Sequence, residues 1–293
     1  MAKVKKLRTS NHRVVLNRSR GGDIAINTVL LILGLIMALP MYLMIINAFK
    51  PLNELFLYPP RFYITSPTFD NFKSLFTLLG TTWVPITRYI FNTVFISFAG
   101  TFGNLVLSSI GAYALSKMKF PGSRGIFKLI VYSLMFPTTV TAIVAFIIIS
   151  KVGLMDTHWA LIIPAWGSST GIFLMKQFME ANITDAVLES ARLDGASELR
   201  IFWKIAMPMV KPAWLTLIVL SFQGLWRTGE SIYIQSEQLK TFPCAVNQIL
   251  AAGIIRSGAS AAASFILMFV PIIVFVILQS KVIETMGSSG MKD

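Results

Sequence analysis

The stretch Leu188-Glu189-Ser190-Ala191-Arg192-Leu193-Asp194-Gly195-Ala196-Ser197, followed by Phe202, Pro208 and Pro212, is a polar segment set between two long apolar runs. Thr184 is a good N-cap and Asp185 suits the positive start of a helix, so a short helix is expected over 184–193 with Val187, Leu188 and Ala191 as its apolar strip. Asp194-Gly195 ends it, because glycine enters the left-handed conformation at little cost. A second helix is expected from Ser197, with Leu199, Phe202, Trp203 and Ala206 on one face and the two prolines leading into the next apolar run. Such a helix-turn-helix belongs at a membrane surface, within reach of a soluble partner.

Working outward, 55% hydrophobic and only 13% charged residues in a chain of 293 make the bilayer the expected solvent. Six apolar stretches approach the length needed to cross a hydrocarbon core: 24–46, 92–115, 130–149, 160–174, 213–226 and 261–279. The expected fold is therefore all-α, a polytopic membrane protein with six transmembrane helices and the helix-turn-helix as a loop at about 176–212. A basic tail (1–23) precedes this domain (24–283) and a short tail (284–293) follows it. The majority of the 26 Lys and Arg residues, among them Lys3, Lys5, Arg8, Lys117, Lys119, Arg124, Arg192 and Lys204, then fall on one side, which marks that side as cytoplasmic together with both termini. The net charge of +13 follows this sidedness and forms no groove with interleaved aromatics, so nucleic acid is not an expected partner.

The segment 50–88, rich in Pro and aromatic residues, is expected as an extracytoplasmic cap, and residues 245–255 as a re-entrant or surface helix. Pro40, Gly100, Gly103, Pro137, Pro164, Gly224 and Pro271 interrupt the spans and are read first as packing features. Cys244 is read as a small apolar filler, and two histidines without neighbouring cysteines argue against a metal centre. The span cores lack Asp, Glu, Lys, Arg and His, which disfavours a proton-coupled carrier. No phosphate-cradling Gly-x-x-x-x-Gly-Lys-Ser/Thr loop, His-Glu-x-x-His or Gly-x-Ser-x-Gly is present, so no enzyme is indicated and any driving energy must come from another chain. A stand-alone secondary carrier and a non-transporting scaffold or sensor partner are the rival readings.

The opening stretch resembles the coupling motif of ATP-binding-cassette importer permeases, Glu-Ala-Ala followed by Asp-Gly and by Pro-x-x-x-Pro, departing mainly at Ser190 where the family usually has Ala. The resemblance extends over nearly the whole chain, toward the smaller six-span permease of the maltose-type carbohydrate importers. It implies a multi-pass subunit of a bacterial cytoplasmic (inner) membrane, surrounded by membrane lipid, that moves oligosaccharides by alternating access. The implied partners are a second homologous permease, two ATP-binding-cassette ATPase subunits and an extracytoplasmic solute-binding protein, with ATP and Mg on the ATPases and no cofactor on this chain. Glu189, Ala191, Arg192, Leu193, Asp194, Gly195 and Ala196 are implied to couple to the ATPase. The stretches 236–243 and 282–292 look like the subgroup that imports complex or acidic oligosaccharides. Many sugar permeases have Trp-Asn where this chain has Trp226-Arg227, and a basic group there would suit an anionic sugar. Candidate contacts along the substrate path are Trp166, Gln223, Trp226 and Arg227, with Asn92 and Asn104 behind them.

Overall fold

The computed structural model describes residues 20–80, 83–229, 232–251, 253 and 256–289. Residues 1–19 of the expected basic tail, 252, 254 and 255 of the expected surface helix and 290–293 of the expected C-terminal tail lie outside the described residues. Within them the regular elements are helical throughout. In chain order these are α1 (Arg20–Phe49), α2 (Leu52–Leu55), α3 (Asp70–Gly80), α4 (Ile86–Lys117), α5 (Ser123–Ser133), α6 (Thr138–Val152), α7 (Trp159–Trp166) and α8 (Ser169–Asn182). There follow α9 (Asp185–Leu193), α10 (Glu198–Ile201), a π turn (Phe202–Ala206), α11 (Met207–Met209), α12 (Lys211–Trp226), a 3-10 turn (Glu237–Leu239), α13 (Phe242–Ala251) and α14 (Ser257–Ser289).

The six apolar stretches are not six uninterrupted helices. Among the described residues three helices, α1, α4 and α14, are long and apolar enough to cross a membrane. At about 1.5 Å per residue their 30 to 33 residues exceed the ~30 Å hydrocarbon thickness. The third stretch divides at Pro137, which cannot donate to the ladder and pushes the residue before it out of the α region, so α5 ends at Ser133 and α6 starts at Thr138. The fourth divides at Gly167-Ser168, where the Ser168 hydroxyl accepts from the Gly171 amide at 3.0 Å and starts α8 afresh. The fifth, α12, stands at 83° to the segment Glu198–Met209, and the bend falls at Val210 ahead of Pro212. Pro40 and Pro271, by contrast, are carried inside α1 and α14.

Helix α4 is the centre of the bundle, packed by α7, α8, α12 and α13, while α14 joins α12 to α1 and α3. Apart from Tyr89, Ile96 and Tyr113, its buried flank is small or polar: Asn92, Thr93, Ser97, Gly100, Thr101, Asn104, Ser108, Ser109 and Ala112. Small residues let helix axes approach, the main route to tight packing where lipid removes the hydrophobic contrast. The Trp166 ring occupies the space a Cβ on Gly103 would take, and its Nε1 donates to the Ala99 carbonyl at 3.1 Å. Gly171 of α8 sits as closely over Ser108 and Asn104 of α4. The opposite flank of α4 exposes Phe91, Phe98, Phe102 and Leu107, as α1 exposes most of its length. Apolar surface on that scale fits lipid or a second membrane chain.

Gly103→Ala should therefore push Trp166 off α4 and lower the thermal unfolding midpoint of the detergent-solubilised protein, with a cost of about 1–3 kcal/mol from overpacking. Gly111→Ala, whose added carbon meets only Ile172 at 3.8 Å, should not lower that midpoint and should raise it slightly, since Ala is the better helix former.

Candidate functional site

Helix α9 ends in a Schellman turn. Gly195 has φ +76°, its amide donates to the Arg192 carbonyl at 3.0 Å, and the Ala196 amide donates to the Ala191 carbonyl at 3.1 Å. Thr184 does occupy the N-cap with extended backbone, yet its side chain makes no capping bond. Leu188 and Ala191 are buried against Met179, Ile183, Ile201 and Phe202, and Ala196 packs on the same cluster. Val187, expected in that strip, is exposed. The second helix is likewise not one regular piece: a π turn follows α10, with the Met207 amide donating to the Phe202 carbonyl. Bonds from i to i+5 change the register, so Phe202 and Ala206 are buried while Leu199 and Trp203, expected on their face, point outward.

Ionic contacts fix this segment to the end of α4. The Lys117 ammonium donates to the Ile183 carbonyl at 2.6 Å and to Asp185 Oδ1 at 3.1 Å, at the start of α9. Beyond the turn, Glu198 accepts Arg192 Nε at 2.6 Å on one oxygen and the Tyr113 hydroxyl at 3.0 Å on the other. Tyr113 is buried and meets the Phe202 ring edge-on at 5.4 Å. The hydrogen bond from Lys117 holds the Asp185 carboxyl below the usual aspartate range, and that from Arg192, aided by Tyr113, does the same to Glu198. The outer face of the segment presents Glu189, Arg192, Asp194 and Gly195, with Leu193 89% and Leu199 71% exposed. Tyr113, Lys117 and Glu198 were not singled out from the sequence as site residues. Lys117 counted there only toward charge sidedness, Glu198 is recognisable as a first-turn acid, and nothing in the sequence points to Tyr113.

The expected substrate-path residues do not converge on one cavity. Asn92 is buried and its Nδ2 holds the Gln238 and Lys240 carbonyls at 2.8 and 2.9 Å. Asn104 bridges helices, donating to Ser221 at 3.0 Å and accepting from Ser108 at 2.8 Å. Trp166 lies against Gly103 and Ala99 of α4. Trp226 stacks on Phe222 and donates to the Leu267 carbonyl of α14 at 3.1 Å. Only Gln223, half-buried, and Arg227, exposed at the end of α12, are not committed to such side-chain bonds among the described residues. Asn92 belongs to a second pinned region: Asp156, at φ +58°, accepts the Gln235 and Ser236 amides at 3.0 and 2.8 Å, and the Tyr89 hydroxyl donates to Glu237 at 2.9 Å.

Because the folded-state value of Glu198 is depressed, its contribution to holding the segment is complete above the unfolded value of about 4.5 and is lost as pH falls through the lower folded value. Protection factors over 185–201, taken against the intrinsic exchange rate at each pH, should accordingly be high at neutral pH and fall as pH drops through the folded value. Glu198→Gln should lower protection at neutral pH, by about 0.5–1 kcal/mol for a half-exposed pair, and should converge with the wild type once the wild-type carboxyl is protonated; equal protection in the variant at neutral pH would refute the anchoring.

Residues 104–286 match the family described as binding-protein-dependent transport system inner membrane component, which is more than half of the chain. The sn-glycerol-3-phosphate transport system permease protein UgpE of Yersinia pestis bv. Antiqua is 28% identical over 275 residues, 91% of this chain and 96% of that protein. The polygalacturonan/rhamnogalacturonan transport system permease protein YtcP of Bacillus subtilis is 30% identical over 200 residues, 63% of this chain and 69% of that one. A chain from the structure of a bacterial ABC transporter involved in the import of the acidic polysaccharide alginate shares the fold with a TM-score of 0.74, covering 90% of this chain and 98% of its own length at 23% identity. The all-helical bundle, its apolar exterior and this match over most of the sequence place the chain among the binding-protein-dependent transport system inner membrane components, as a permease of an ATP-binding-cassette transport system.

Proposed function

We propose that this permease is one of two membrane subunits of an importer for oligosaccharides, acidic uronate-type ones foremost, and that separate ATPase subunits dock on Asp185–Leu193 and the turn after it. The observation that carries the docking is the division of α9 into two faces. Leu188 and Ala191 lock it to the bundle, while Glu189, Leu193 and Leu199 are turned outward with no structural duty of their own. An exposed acid beside exposed leucines suits a groove on a soluble partner. In this reading ATP and Mg reside on the ATPases, an extracytoplasmic binding protein delivers the cargo, and both termini of this chain are cytoplasmic.

The anchors suggest how the push travels. Lys117 and the Tyr113–Glu198–Arg192 chain tie α9 to α4, so displacing the docked segment moves a helix that touches α7, α8 and α12 along its length. Closure of the ATPases would then change the equilibrium between inward- and outward-open bundles through its different affinity for the two. The anionic character of the cargo is supported by the relatives, whose named cargoes are a phosphate ester, a pectic polysaccharide and alginate. Arg227, exposed beside Trp226, is the residue we assign to meet it.

In proteoliposomes holding the assembled complex, binding protein loaded with a uronate oligosaccharide should stimulate ATP hydrolysis, and a neutral oligosaccharide of equal length should not. Glu189→Lys should leave assembly intact and reduce uptake roughly tenfold, the loss expected when a charge-assisted contact is reversed. Gly195→Pro should do at least as much, since proline fixes φ near −65° and deletes the amide that donates to Arg192. Unimpaired uptake by the assembled Glu189→Lys complex would sink the docking assignment.

A further inference from the structure

A cavity of about 520 Å³ opens between the end of α4, the start of α5 and α8. Lys119, Arg124, Lys176 and Glu180 line it. Lys176 is buried, 2.5 Å from Glu180 Oε1 and 3.9 Å from the centre of the Phe127 ring, so this cation is matched by its own acid and by an aromatic face. Lys119 and Arg124 are exposed at the mouth, and with the inner pair neutral the cavity carries an excess of two positive charges. Neither forms a salt bridge among the described residues, whereas the neighbouring Lys117 is taken by Asp185. Met118 and Phe120, on the connecting loop, line its rim and are exposed, and α5 exposes Ile126 and Leu129 outside the lining.

Cations set into an apolar rim, at the point where the apolar run of α4 gives way to a polar loop, match an amphiphile that is anionic at one end. We propose that this cavity binds the headgroup of an anionic phospholipid, its phosphate between Lys119 and Arg124 and its acyl chains along the exposed side of α5. Free phosphate would satisfy the two cations but leave Ile126 and Leu129 without a role. Arg124 supplies a planar fork suited to two phosphate oxygens, and Lys119 a point charge. The site requires only that the chain lies in a membrane, and is independent of the cargo and of ATPase docking.

Native mass spectrometry of the purified, assembled complex tests this, with phosphatidylglycerol, phosphatidylcholine or inorganic phosphate added. The wild type should retain phosphatidylglycerol in preference to phosphatidylcholine, and Lys119→Ala with Arg124→Ala should weaken phosphatidylglycerol roughly 25-fold while leaving phosphatidylcholine unchanged. A preference that is absent, or present and unaffected by the double variant, overturns the proposal. Displacement of phosphatidylglycerol by inorganic phosphate overturns it too, and assigns the cations to a soluble anion. Should the alanine pair fail to assemble, Lys119→Arg with Arg124→Lys must keep the preference, and wild-type retention of phosphatidylglycerol must fall as salt is raised while that of phosphatidylcholine does not. Failure of either overturns the site.

Discussion

The close approach of α7, α8 and α12 to the small-residue flank of α4 is the contact on which the rest of the bundle depends. In lipid, apolar side chains gain little by leaving one apolar medium for another, so association has to come from contact distance and hydrogen bonds. Gly103 under Trp166, Gly171 over Ser108 and Gly100 under Leu225 provide the first. Asn104 to Ser221 and Trp166 to Ala99 provide the second. These contacts allow α4 to stay central while its other flank carries exposed phenylalanines.

That rigidity gives the surface segment its meaning. A short amphipathic helix joined to the bundle only by its chain ends would swing rather than push. Here the buried side of α9 and two sets of ionic contacts bind it to the same helix that organises the interior. The anchors lie at the edge of the apolar region, where Lys117 can neutralise Asp185 and satisfy the Ile183 carbonyl at once. Glu189, Leu193 and Leu199 carry no such contact among the described residues.

At the far end of α4 the loop 232–241 is held in a comparable manner by Asp156, Tyr89 and Asn92. Several residues that read as cargo contacts turn out to hold this architecture together. A buried asparagine or tryptophan in a membrane protein must place its polar atoms somewhere, and a neighbouring carbonyl satisfies them as well as a sugar would. Residue type alone does not show these bonds; the distances to Gln238, Lys240, Ala99 and Leu267 do.

The sequence by itself determined the membrane class, the helical character, the position of the turn at Asp194-Gly195 and the family, because these follow from composition, local backbone preference and a contiguous motif. Gly195 at positive φ is legible from Asp-Gly alone, since only local sterics are involved. Only the tertiary structure decided which apolar stretches are broken, which side of α9 is buried and which distant residues grip it. Glu198 and Tyr113 are 85 positions apart, and no periodicity within either helix encodes their meeting. The π turn over Phe202–Ala206 was equally out of reach, because nothing in the pattern of its five residues marks a change of helical register.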